Sequence, residues 1–159
     1  MLDISNASPD DLAALVELER TIFHYDLISP KQMRYLLQSP SAVVCKAVFC
    51  KTVVGYLVVL TRRNSTVGRL YSIGVRPEAR ALGIGRSLLY YAECITAGRG
   101  CNRVHLEVHA ANDSALRFYQ HAGYSLFGQR ENYYSDGALA LRLRKFIPCG
   151  EVQYDSSSN

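Results

Sequence analysis

Residues 72–89 read SIGVRPEARALGIGRSLL, and the change of periodicity inside this stretch decides the fold. On its left flank, GRLYSIGV (68–75) is a strand-like run of β-branched and aromatic residues. On its right flank, Ile84, Leu88, Leu89, Ala92 and Ile95 recur at helical spacing as far as Gly98. Between them, Arg80-Ala81-Leu82-Gly83-Ile84-Gly85 enters the helix directly after the strand. Backbone N–H groups at a helix start lack intrahelical acceptors, and the helix dipole adds about half a positive charge there. Glycine lets an anion approach them closely. The stretch is not a P-loop, which needs Lys-Ser/Thr after the second glycine, and it lacks the first glycine of the dinucleotide fingerprint. By itself it leaves two readings open, an anion cradle and a tight turn.

Working outward, LDIS (2–5) is a short strand, and Ser8-Pro9-Asp10-Asp11 is a helix start with a serine cap, proline at the first position and acid in the first turn. Leu12, Leu15, Val16, Leu18 and Glu19 extend this helix. Ser29-Pro30 repeats the signal for a second, with Met33, Leu36 and Leu37 on its buried face. From Ala42 three β-rich runs follow, AVVCKAVFC, TVVGYLVVLTRR and GRLYSIGV, so closely spaced that they imply an antiparallel meander. RVHLEVHA (103–110) alternates strictly, with Val104, Leu106 and Val108 on one face and His105, Glu107 and His109 on the other. The strand, helix, strand order here requires a parallel, right-handed crossover. Asn112 or Asp113 caps a further helix closed by Gly123, and YSLFGQR and ALALRLRK are last strands joined by the polar ENYYSDG. The expected order is β α α β β β α β α β β, a mixed α/β (α+β) sheet with helices on both faces. One domain over residues 1–147 is expected, with 148–159 as a flexible, serine-rich tail.

Composition narrows the class. The chain has 159 residues, 48% hydrophobic and 20% charged, enough for one well-buried core. Five cysteines (Cys45, Cys50, Cys94, Cys101, Cys149) without C-x-x-C spacing suggest neither a disulfide framework nor a zinc site, and no metal is expected. Neither a spanning apolar run nor a signal-peptide pattern is present, so a cytoplasmic protein without membrane partners is expected. The net charge of +4 is mostly arginine, with Arg76, Arg80 and Arg86 around the opening stretch, and arginine suits bidentate phosphate contacts. With no dense basic run, nucleic acid is disfavoured as a partner.

The segment SIGVRPEARALGIGRSLL resembles the acyl-CoA-binding signature of the GNAT superfamily of N-acetyltransferases, Arg/Gln-x-x-Gly-x-Gly/Ala, here Arg80, Gly83 and Gly85. LEVHAANDSALRFYQHAGY (106–124) and RENYYSDG (130–137) are similar to the RimI-like ribosomal-protein alanine acetyltransferases within it. The resemblance implies a GNAT-type fold: a mostly antiparallel, twisted sheet of about seven strands, splayed between strands 4 and 5, with four helices. It also implies acetyl-CoA as cosubstrate. Arg80, Ala81, Leu82, Gly83, Ile84, Gly85 and Arg86 would wrap its pyrophosphate, and Ile73, Gly74, Val75 and Asn112 would contact the pantetheine arm. Val75 N–H would polarise the thioester carbonyl. Leu82 departs from the polar residue many relatives carry, as does Ala138-Leu139-Ala140 from the acid often placed before the final alanine.

Acetyl transfer to an amine needs a proton acceptor, an oxyanion donor and a proton for the thiolate. Alternation alone leaves Glu107 either a solvated strand carboxylate or a cleft base; the resemblance implies the base. Tyr119 is either a core aromatic or, as the resemblance implies, the proton donor to the thiolate. His105 and His109 share the Glu107 face and are candidates to tune it. Tyr133 and Tyr134 are the candidate acceptor contacts. The expected activity is acetyl transfer to a primary amine of a protein N-terminus or peptide by direct attack in a ternary complex. The alternatives are a small amine or polyamine as acceptor, or a non-catalytic coenzyme A-binding module, in a monomer or homodimer.

Overall fold

In the computed structural model, which describes residues 1–148, the strands are β1 (Leu2–Asn6), β2 (Ala42–Phe49), β3 (Thr52–Thr61), β4 (Val67–Val75), β5 (Arg103–His109), β6 (Ser125–Arg130) and β7 (Ala140–Phe146). They form one sheet in the order β1-β2-β3-β4-β5-β7-β6. The helices are α1 (Leu12–Ile22), α2 (Pro30–Gln38), α3 (Ile84–Gly98) and α4 (Asp113–His121), with short 3-10 turns, Pro9–Asp11 and Pro77–Leu82, leading into α1 and α3. The expected tail, from residue 149 on, and Cys149 lie outside the described residues.

The sequence accounts for these boundaries locally. Ser29 Oγ accepts from the Gln32 N–H at 3.1 Å to start α2. Asn112, rather than Asp113, caps α4, its Oδ1 accepting from the Ala115 N–H at 3.1 Å. The β3 strand is buried on both faces and divides its side chains between two cores. Leu57 and Val59 join Leu70, Leu88 and Leu106 beneath α3 and α4. Tyr56 and Val58 join Leu15, Leu18 and Met33 beneath α1 and α2. This double burial explains the near-continuous apolar run of β3.

Every strand pair is antiparallel except β4 with β5. That parallel pair lasts only from Val67↔Arg103 to Arg69↔His105. Two residues later, β4 carries an extra residue: Val58 faces Ser72 and Val59 faces Leu70, leaving Tyr71 over. Such a bulge bends a strand and increases its twist. Meanwhile β5 stays paired with β7 along its full length. The strands therefore separate, as the splay expected between strands 4 and 5 requires.

At the closed end of the split, α3 lies so near β4 that a Cβ on Gly68 would collide with the buried Thr96 side chain. Gly68→Val is expected to cost about 1–3 kcal/mol through overpacking. Urea denaturation should show that loss, and adding Thr96→Ala should restore part of it.

Candidate active site

The split opens a cleft of about 660 Å³ lined by side chains of α1, β4, β5 and α4 and of the two loops that precede α2 and β7. Its β4 wall offers unpaired backbone. Arg76 N–H donates to Val54 O on the β3 side at 2.7 Å, so strand alternation turns the polar groups of Val75 and Ile73 the other way, to the free edge of β4, where Ile73 lines the cleft. Arg80 Nε accordingly reaches Val75 O at 3.3 Å from that side. Gly74 turns its carbonyl toward Gly55 on β3, and the position of its missing Cβ is taken up by Ile22 and Phe23 at 3.1–3.3 Å. Glycine there lets the end of α1 approach the cleft.

Beyond Arg80, which lines the cleft, the chain enters α3. Gly83 adopts the left-handed conformation, φ 74° and ψ 12°, and no side chain caps the helix. Gly83 O accepts from Ser87 N–H and, at 3.3 Å, from Ser87 Oγ, but the N–H groups before Ser87 lie ahead of any intrahelical carbonyl. A Cβ at Gly83 would meet nothing within 4 Å, while one at Gly85 would touch Phe118 at 3.6 Å. Arg80, Ala81, Leu82, Gly83 and Arg86 are exposed. The arrangement is an open, donor-rich concavity. Arg76 is already engaged, with Val53 O at 3.0 Å and Glu17 at 3.1 Å.

Glu107 and Tyr119 open into the same cleft from β5 and α4. Glu107 lies between two guanidinium groups, Arg69 Nε at 3.2 Å from Oε2 and Arg142 Nε at 3.8 Å from Oε1. Arg69 also donates to the Tyr133 hydroxyl, which brings a predicted acceptor contact beside the predicted base. Tyr119 is 8% exposed, and its hydroxyl has no hydrogen-bond partner among the described residues; burial pushes its pKa up. Asn112, Ile73 and Arg80 line the cleft as well.

Neither histidine is hydrogen-bonded to Glu107, whose partners are Arg69 and Arg142. His109 Nδ1 accepts from Ala111 N–H at 3.1 Å, so the proton sits on Nε2, which lies 2.9 Å from the Asp136 carboxylate. Both of its nitrogens are occupied. His105 packs against Phe127, ring centroids 4.5 Å apart, outside the cleft. Burial first, then Arg103, Arg142 and Arg144, lower its pKa to about 4.

Two loops frame the acceptor end. Asp26 accepts from Ser135 N–H at 3.2 Å, joining the α1–α2 loop to the β6–β7 loop. Above that latch Tyr134 stands edge-on to Tyr25, 6.3 Å between centroids, and against His109 at 4.9 Å. Arg69, Tyr25 and Asp26 have no signature that reading along the chain could detect.

A second carboxylate, Glu19, also lines the cleft, and it is only 2% exposed. Its Oε2 accepts from Ile28 N–H at 3.0 Å and its Oε1 from the Tyr56 hydroxyl. Tyr56 and Ser72 Oγ lie 2.8 Å apart. Burial raises the Glu19 pKa to about 7, against the opposing pull of the Ile28 N–H. The sequence signal was an acid on the buried stripe of α1, in step with Leu15 and Leu18, which reads as helix amphipathicity and nothing more.

No group of His, Cys, Asp or Glu among the described residues is placed to hold a metal ion. Comparison with known proteins matches residues 12–124 to the Acetyltransferase (GNAT) family. An uncharacterised N-acetyltransferase of Methanocaldococcus jannaschii is 31% identical over 150 residues, 91% of this chain and 92% of that protein. The N-alpha-acetyltransferase RimI of Mycobacterium tuberculosis is 34% identical over 139 residues, 85% of this chain and 86% of that protein. The crystal structure of the ribosomal-protein-S18-alanine N-acetyltransferase of Escherichia coli superposes with a TM-score of 0.83 at 26% identity, covering 97% of this chain and 99% of that one.

The Glu19 environment has a consequence for stability. A carboxyl whose pKa moves from 4.5 when exposed to about 7 when folded binds its proton more tightly in the native state. Its contribution to stability therefore declines as pH rises between those values and is level above them. Glu19→Gln should remove that decline, and denaturation midpoints across the window should show a flatter curve than the wild type.

Proposed function

The chain belongs to the acetyltransferase (GNAT) family and is an acetyl-CoA-dependent N-acetyltransferase, and we propose that its acceptor is the α-amine at the N-terminus of a protein or peptide. The observation that carries this reading is the single cleft that gathers Ile73 on the free edge of β4, Arg80 from the turn that leads into α3, Glu107 and Tyr119. Two of the relatives above are named for N-alpha or alanine N-acetyl transfer, which supports the choice of amine. The two latched loops support an acceptor that enters as a narrow chain end. An α-ammonium, with a pKa near 8, also yields its proton more readily than a lysine near 10.4.

The residues present fit coenzyme A. Ala81 to Arg86 offer the pyrophosphate an open concavity with backbone donors and the positive end of a helix. Arg80 and Arg86 flank it with positive charge. Ile73 and Val75 offer the pantetheine arm the strand edge that β5 leaves, with Asn112 on the opposite wall. The bound thioester supplies an activated acetyl group. Val75 N–H, on the edge of β4 turned away from β3, would hold its carbonyl oxygen. Glu107 faces the amine and accepts a proton as the C–N bond forms. Tyr119, neutral and shielded from water, gives its proton to the sulfur as the C–S bond breaks. Tyr133, fixed by Arg69, and Tyr134, packed on His109, hold the incoming chain end. Cys45, Cys50 and Cys94 are thiols, which agrees with a reducing, cytoplasmic setting.

Glu107→Gln and Tyr119→Phe should each lower kcat by about 10²-fold, with acetyl-CoA affinity by calorimetry within a few-fold of wild type. Unchanged turnover in both would remove them from the mechanism. Gly83→Glu places bulk and negative charge in the concavity and should abolish acetyl-CoA binding, while Gly85→Ala, at ordinary contact distance from Phe118, should retain it.

A further inference from the structure

Glu107 leaves one proton unassigned. An α-ammonium carries three protons on nitrogen and the product amide one, so nitrogen sheds two as the C–N bond forms and the C–S bond breaks. Tyr119 returns one proton equivalent to the sulfur, and the other leaves the enzyme. Two acceptors are therefore needed at the nitrogen, one before attack and one during it.

The buried Glu19 network meets the first need by its geometry. Proton counting sets its direction. An ionised carboxylate only accepts, so the Tyr56 phenol spends its single proton on Glu19. The Tyr56 oxygen must then accept from Ser72, 2.8 Å away, which leaves the Ser72 oxygen with lone pairs to receive a proton. Ser72 lies at the cleft wall beside the bulge. Tyr56 and Glu19 lie behind it at 0% and 2% exposure. We propose that Ser72, Tyr56 and Glu19 form a proton relay that takes the first proton of the acceptor ammonium, leaving Glu107 to take the second; this rests on the acetyltransferase reading above. In the transfer, the ammonium N–H bond breaks as Ser72 gains a proton. Ser72 passes its own to Tyr56, and Tyr56 passes its own to Glu19, which returns it to solvent after turnover.

The surroundings of the two carboxylates divide the labour. Glu107 sits between Arg69 and Arg142. The groups that face Glu19 are the Ile28 N–H before α2, the Tyr56 phenol on β3 and, behind it, Ser72 on β4, while α2 adds the apolar Met33 and Leu36 to the same core. None of the other titratable groups that line the cleft, Arg80, Glu107, His109 and Tyr119 among them, makes a hydrogen bond or ion pair with it. A proton acceptor without a cationic partner, poised near neutrality by burial, matches an α-ammonium.

The test compares the full chain with its Glu19→Gln, Tyr56→Phe and Ser72→Ala variants, using acetyl-CoA and a panel of short peptides with free α-amines. At about pH 7, each variant should lose at least about tenfold in kcat with the acetyl-CoA KM unchanged. At about pH 9, where the peptide amine is already neutral, the deficit should shrink to about threefold or less. Glu107→Gln should stay impaired at both values. A deficit equal at both pH values would make Glu19 a structural pin of the loop, and no deficit at neutral pH would remove it altogether; either result overturns the relay. Should the wild type acetylate no peptide in the panel, the acceptor reading fails, and the relay is decided by carbon-13 NMR of the glutamate side-chain carboxyls. The resonance missing in Glu19→Gln should titrate near neutrality and move higher still in Tyr56→Phe, which loses a donor to the ionised form. A midpoint at the ordinary glutamate value would overturn it.

Discussion

The structure depends on the parting of β4 from β5 after three residue pairs. A sheet that stayed zipped would bury the polar edge of Leu70–Val75 in a ladder and leave no space between Glu107 and Tyr119. Two forces hold the strands apart. The extra residue at Tyr71 bends and twists β4, and seven register pairs with β7 keep β5 from following. The backbone groups freed in this way are paired with no strand; of them, Val75 O accepts from Arg80 Nε.

The same split brings together two carboxylates with opposite surroundings. Glu107 stands between guanidinium groups, while Glu19 has only neutral donors and apolar side chains around it. Desolvation penalises the charged form of Glu19 without a counter-charge to offset it. One acidic residue type thus has two chemical tempers within a single cleft, set by which elements pack against each.

The acceptor side is assembled from distant parts of the chain. Asp26 and Ser135 are 109 positions apart, as are Tyr25 and Tyr134, yet the latch and the aromatic contacts place them together over the cleft mouth. His109 is spent in this framework, held between Ala111 and Asp136. Of the histidines sharing the Glu107 face of β5, one is held by hydrogen bonds and the other stacks on Phe127, a distinction that strand alternation cannot make.

The sequence by itself determined what local chemistry controls. The element order, the helix start at Ser29, a further one at Asn112 or Asp113 and the two faces of β5 follow from capping and period within a few residues. A motif match added the expectation of a coenzyme A cradle and of Glu107 and Tyr119 as a pair. Tertiary structure alone decided the rest: that Arg69 meets Glu107 and Tyr133, that Arg76 is spent on Glu17, and that an acid in the apolar stripe of α1 reaches Tyr56 and Ser72 across the sheet. Proton affinity depends on burial and on neighbours in space, and the neighbours of Glu19 come from strands 37 and 53 residues further along the chain. No local pattern encodes their approach; it is set when two helices and a bulged strand close on one core.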